Sequence, residues 1–258
     1  MNRLLFIYSA LLLSCMNNKV DDKSETKTIV IPFASTTDTC IDFNSLNTKI
    51  RDGLIPQKEA LKKMQVLIPL IRNYYYKHNG QDFQKSAWIF PLQNYNAKAI
   101  GGKDGSGYIA SGFNYFDGNK HGGHPSQDIF INDKNQDCLD DVTKKPVNVL
   151  SLTEGIVIAA STQWDTASNL RGGKYIYIYV PSINSFIYYA HTNKVLVNLC
   201  DIIKPGDIIA NVGRTGLSAF KKRSPTHLHI MQLKLDSTYY PRPVNLYKDL
   251  LTIQTQKK

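Results

Sequence analysis

Residues 175–180 read Tyr-Ile-Tyr-Ile-Tyr-Val and stop at Pro181. Six β-branched or aromatic residues in strict alternation favour a strand, because such side chains pack well on a pleated surface. Proline then removes the next ladder donor. A second run, residues 185–191, follows after the short turn Ser182-Ile183-Asn184. Residues 157–160 after Glu154-Gly155, residues 208–212 after Lys204-Pro205-Gly206-Asp207, and His227–Leu235 extend the pattern. Short strands separated by turn residues predict a mainly β fold built on an antiparallel sheet.

The segment before these strands has a different period. Leu61, Met64, Leu67, Ile68 and Ile71 recur at three- and four-residue spacing, which predicts helix. Pro56 and Pro69 limit or kink it, and Asn79-Gly80 stops it after the triplet Tyr74-Tyr75-Tyr76, expected in core packing. Residues 46–85 therefore form a small helical preamble, residues 86–250 the main domain, and residues 251–258 a polar tail.

Arg3 and an apolar run from Leu4 to Leu13 suit an export signal and are too short to span a bilayer. The run ends in Leu12-Leu13-Ser14-Cys15, which resembles a bacterial lipobox. That resemblance implies lipidation of Cys15 and loss of the preceding signal. Residues 16–45 begin with a polar stretch of mixed charge and read as a flexible tether. The expected location is the cell envelope, lipid-anchored to an outer membrane facing the periplasm, with the cell surface as the other option. Cys40, Cys138 and Cys200 allow one disulfide in an oxidising compartment, and the sequence does not say which two pair. A net charge of +10 suits anionic partners such as cell-wall polymer or lipid headgroups, and nucleic acid is not expected for an exported chain.

The chemistry-bearing residues lie in the strand-rich half. His227 and His229 are two apart on a predicted strand and share a face. His124 and Asp128 are four apart and share a face in either a strand or a helix. Imidazoles with a carboxylate form the three-ligand set of a catalytic zinc that keeps a position open for water. His191 ends an alternating strand and is a further candidate. No HExxH is present, so a histidine near its ordinary pKa is the natural base.

HxxxD, Gly172-Gly173-Lys174-Tyr175, Tyr189-Ala190-His191, Pro205-Gly206-Asp207, Val212-Gly213-Arg214-Thr215-Gly216 and Thr226-His227-Leu228-His229 follow one another in this order. Residues 88–250 thereby resemble the lysostaphin/LytM class of zinc metalloendopeptidases. The resemblance implies one zinc ion held by His124, Asp128 and His229, with His191 and His227 flanking a metal-activated water. It further implies hydrolysis of peptide bonds in peptidoglycan stems or cross-links. The alternative is a non-catalytic wall-binding or hydrolase-regulating module on the same fold.

Some features depart from that pattern or lie beside it. Ser126 stands where the family has glycine, and altered loop geometry is expected there. Asp133-Lys134-Asn135-Gln136-Asp137 resembles the start of a calcium loop, but glycine is absent at the sixth position and Lys144 holds the twelfth, so a solvated turn is favoured over Ca2+. His121 reads as an exposed loop histidine. The glycine-rich residues 101–107 read as a flexible loop at the cleft rim. Lys221-Lys222-Arg223 offers a charged loop before the His227 strand.

Overall fold

The computed structural model describes residues 38–221 and 224–253. The lipobox cysteine Cys15, most of the tether, Lys222-Arg223 and the end of the polar tail lie outside the described residues. Helices α1 (Asp38–Arg51) and α2 (Gln57–Lys77) come first. They are followed by β1 (Gln127–Phe130), β2 (Asn148–Leu150), β3 (Gly155–Ser161), β4 (Tyr175–Val180) and β5 (Ser185–Ala190). Then come β6 (Thr192–Val195), β7 (Ile202–Ile203), β8 (Ile208–Val212), α3 (Leu217–Lys221), β9 (His227–Leu235), β10 (Pro241–Val244) and α4 (Tyr247–Thr252).

Among the described residues the larger sheet runs β1-β9-β5-β4-β3-β7, with β10 beside β1 on the same flank of β9. A second sheet runs β2-β8-β6. Every pairing is antiparallel, as the alternating runs predict.

The alternation of β4 separates two cores rather than core from solvent. Ile176, Ile178 and Val180 pack with Leu228, Ile230, Val149, Ile209 and Val212, joining the two sheets. Tyr175, Tyr177 and Tyr179 face the other way, toward Phe43, Ile50, Met64, Ile68 and Ile71 of the helices. Each large apolar side chain buried here contributes roughly 1.5–3 kcal/mol. The helical pair is therefore an integral third layer over one sheet face. The apolar stripe behaves as its spacing predicts: Met64, Ile68 and Ile71 are buried, and Leu61 and Leu67 flank them.

Two expectations change. Helix α1 begins at Asp38, inside the stretch read as tether, because Cys40 and Phe43 are buried and anchor its first turns. Of the tyrosine triplet Tyr75 is fully buried in the core, Tyr74 is half-buried against it with its ring stacked on His78, and only Tyr76 is exposed, its hydroxyl on Asp82. Three successive helical residues cannot share one face.

Cys40 pairs with Cys200 across 160 positions of sequence, fastening α1 to the turn before β7, and Cys138 is free. Converting both bridged cysteines to serine should lower unfolding stability by about 2–5 kcal/mol. Chemical unfolding of the oxidised chain and the double variant measures this; equal midpoints would contradict it.

Candidate metal centre

Strand pairing assembles the first two groups. In the β1–β9 ladder Asp128 lies directly opposite His229, and His229 also pairs with Ala190 of β5. Asp128 Oδ1 is 3.1 Å from His229 Nδ1. His124 does not share the strand with Asp128, since β1 starts only at Gln127. It sits in the preceding loop, bridged to Ile109, where its Nδ1–H donates to the Gly107 carbonyl at 2.8 Å. That contact turns Nε2 inward, 3.3 Å from Asp128 Oδ1. The ligand atoms of His124, Asp128 and His229 all lie within 4.8 Å of one another.

The other two histidines border this group. His191 is the residue after β5 and has φ of 62°, a left-handed conformation uncommon for a side-chain-bearing residue. It carries the chain from the larger sheet into β6 of the smaller one. Its backbone N–H donates to Gly172 O at 3.0 Å, and its Nδ1 donates to Thr215 O at 2.8 Å. His227 Nδ1 donates to Pro225 O at 2.7 Å. Carbonyls only accept, so each ring carries its proton on Nδ1 and leaves Nε2 as an acceptor. His227 Nε2 is 3.8 Å from Asp128 Oδ1, and the His191 and His227 ring centroids are 4.9 Å apart.

Electrostatics sorts these groups. Burial alone pushes the Asp128 carboxyl up, but its contacts with His124 and His229 outweigh that and hold it well below the usual carboxylate range. The Asp128 contact raises His124 against the effect of burial. Burial, reinforced by the neighbouring histidines, drives His191 well below its ordinary value and also lowers His229. A neutral imidazole is the form that coordinates metal or accepts a proton.

The donor set fits zinc on its own chemistry. Two imidazoles and an ionised carboxylate converge, and the outer nitrogen of His124 is fixed by a carbonyl, as metal-ligating histidines require. Ser126 is only 2% exposed, and its hydroxyl lies 3.1 Å from His124 Nε2 and 3.3 Å from His229 Nδ1. The residue that departs from the family glycine thus points into the centre.

Odd-numbered residues of β9 share the face on which α1 packs, so His227 and His229 look into the space beneath that helix. A cavity of about 370 Å³ opens there, lined by the histidines, by Tyr175, Tyr177 and Tyr188 of the sheet, and by Asn47, Ile50 and Arg51 of α1. The preamble forms one wall of the cleft and leaves the centre open to it.

Three surrounding expectations are revised. Residues 101–107 are a support of the site rather than a loose rim: Gly107 O holds His124, and Gly101 N donates to Asp128 O at 2.8 Å. Gly101 has no room for a side chain, since a Cβ would fall 2.3 Å from the Phe130 ring. His121 is half-buried and lines the cavity, its ring against Phe113, instead of lying exposed; it is not part of the three-residue group. Asp133 is buried, and its carboxylate accepts from Asp137 N, Cys138 N and the Thr226 hydroxyl, so it braces its own loop against β9. The supporting carbonyls of Gly107, Thr215 and Pro225 carried no signal in residue type, although Thr215 lies within the Val212–Gly216 motif.

Residues 136–241 match the model of peptidase family M23. The match covers about two fifths of the chain, so the likeness is to that segment. His191, His227 and His229 fall inside the matched segment. His124 and Asp128 lie just before it and are joined to the M23 segment by the β1–β9 ladder. Among solved structures, a zinc-containing peptidase from Vibrio cholerae shares 19% identity over 68% of this chain and 41% of its own, with a TM-score of 0.39. Lysostaphin from Staphylococcus simulans shares 19% over 64% of this chain and 53% of its own, with a TM-score of 0.40. A candidate glycyl-glycine endopeptidase, lytM, from Ruminococcus gnavus shares 22% over 85% of this chain and 87% of its own, with a TM-score of 0.43. The chain thus spans about half or less of the first two in length. These are loose likenesses.

Proposed function

We propose that this chain is a zinc endopeptidase of the M23 type that hydrolyses peptide bonds in peptidoglycan stems or cross-links, tethered to a membrane by lipid on Cys15. The observation that carries the reading is the convergence of His124, Asp128 and His229 with two further histidines whose Nδ1 atoms are each held by a backbone carbonyl. The family match supports peptide-bond hydrolysis. The net charge of +10 suits an anionic wall polymer.

His124, Asp128 and His229 would hold the ion. Zinc, when bound, supplies a Lewis acid that lowers the pKa of water toward about 7 and polarises a carbonyl. Everything else is work for the side chains. His191 and His227 both start as acceptors at Nε2, so either can take the proton of the attacking water. The ring that takes it becomes a cationic donor, able to hydrogen-bond the oxyanion and then pass the proton to the leaving amine. The Thr215 and Pro225 carbonyls hold the two rings in the required tautomer. Tyrosines and α1 wall the cavity and limit water around the reacting peptide.

Chelation followed by re-addition of zinc tests the reading on purified peptidoglycan. Release of new amino groups should stop on chelation and return with about one equivalent of zinc. Release that persists after complete metal removal would contradict it.

Ser126 gives a second test. Its hydroxyl contacts the two nitrogens that a metal needs, so it competes with the ion. Ser126→Ala should tighten zinc binding by roughly fivefold, the value of about one hydrogen bond. Competition against a chelating dye measures this, and weakened binding would show that the hydroxyl supports the ligands instead.

A further inference from the structure

We infer that Arg171 forms a carboxylate-binding subsite beside the metal centre, so that the favoured substrate is an anionic peptide with a carboxylate close to the bond to be cut. This deepens the peptidase reading and rests on it.

Two arginines line the cavity that holds the histidines, Arg51 and Arg171. They differ in what already satisfies them. Arg51 grips Asp52 through two nitrogens, at 2.7 and 2.8 Å, and also contacts the Tyr175 hydroxyl. Among the described residues the Arg171 side chain makes one hydrogen bond, from a guanidinium nitrogen to the His121 carbonyl at 2.5 Å. Among the described residues no Asp or Glu lies within ion-pair distance of it, whereas Arg51 pairs with Asp52. A guanidinium has five N–H donors in a planar fork that matches a carboxylate, so most of its capacity is open.

Its position is tied to the reacting groups. Arg171 N donates to Asn119 Oδ1 at 2.8 Å, and the next residue, Gly172, accepts the backbone N–H of His191. Gly173, at φ of 64°, lies so close to Thr215 that a Cβ would fall 2.3 Å from its carbonyl carbon. Thr215 in turn holds the His191 ring. The loop bearing Arg171 is thus locked to the residue proposed as base. The tyrosine walls lower the local dielectric and strengthen pairing with an incoming anion.

The test uses the full chain and one synthetic cross-linked stem peptide in two forms, free carboxylate and carboxamide. Calorimetry on the metal-stripped chain, which does not turn the peptide over, gives both dissociation constants. The carboxylate form should bind at least about tenfold more tightly, the value of a charge-assisted pair. Arg171→Gln should bring the ratio near one, and Arg171→Lys should keep part of it. A merely structural role would weaken both forms equally and leave the ratio intact. A wild-type ratio near one, or one unchanged in Arg171→Gln, overturns the inference. If the carboxylate preference holds but the zinc-loaded chain cleaves neither form, the peptidase reading fails and the subsite stands.

Discussion

His229→Ala should leave the full chain unable to hold zinc at micromolar free metal and unable to release peptide from peptidoglycan. His229 Nδ1 sits 3.1 Å from Asp128 Oδ1, and its strand is the one on which both β1 and β5 register. Losing it reduces three protein donors to two. Changes in the outer shell of a metal site already cost 10–100-fold in affinity, so the loss of a ligand should exceed about 100-fold. The fold should survive, because the cores on either face of the sheet are built from other side chains. Elemental analysis after dialysis, with a thermal melt as control, reads this out. A variant that keeps stoichiometric zinc would remove His229 from the centre.

The second large effect separates metal binding from chemistry. His191 touches no ligand atom of the metal group by hydrogen bond; its ring is held by Thr215 and its Nε2 is open. Replacing it should therefore spare zinc and lower kcat. Asparagine is the suitable replacement, since it tolerates the left-handed backbone at φ of 62° better than alanine. General acid–base help is worth about 10²–10⁴-fold, so kcat should drop by that order. Steady-state kinetics on a cross-linked peptide, with zinc content measured in the same sample, decides the point. A variant with full zinc and wild-type kcat would move the proton-transfer role to His227 alone.

These effects were legible in the sequence to unequal degrees. His227 and His229 could be placed on one face because a strand's period is two, whatever the rest of the fold does. Asp128 and His124 needed the order of motifs, and their true arrangement differs from the shared-face argument: one lies on β1 and the other in a loop braced by Gly107. The carbonyls that fix the three tautomers were invisible, because any residue type supplies a carbonyl. The strict alternation of β4 located the strand but could not say that both of its faces are buried, since tyrosine and isoleucine are both apolar enough for a core. The start of α1 hides in the polar run Thr36-Thr37-Asp38-Thr39, and what fixes that helix is a disulfide to a residue 160 positions away. Contacts of that range leave no local pattern. Arg171 stood next to a recognised Gly-Gly-Lys-Tyr motif, yet only the fold shows that it lines the same cavity as the histidines.

The central claim is that this centre adds water across a peptide bond of the wall. Digesting purified peptidoglycan with the zinc-loaded chain in 18O-labelled water, followed by mass spectrometry of the soluble fragments, tests it most directly. The account predicts peptide fragments with a new amino terminus on one side and one heavy oxygen in the new carboxylate on the other. No such fragments from a chain carrying one zinc, or fragments without the label, would contradict it.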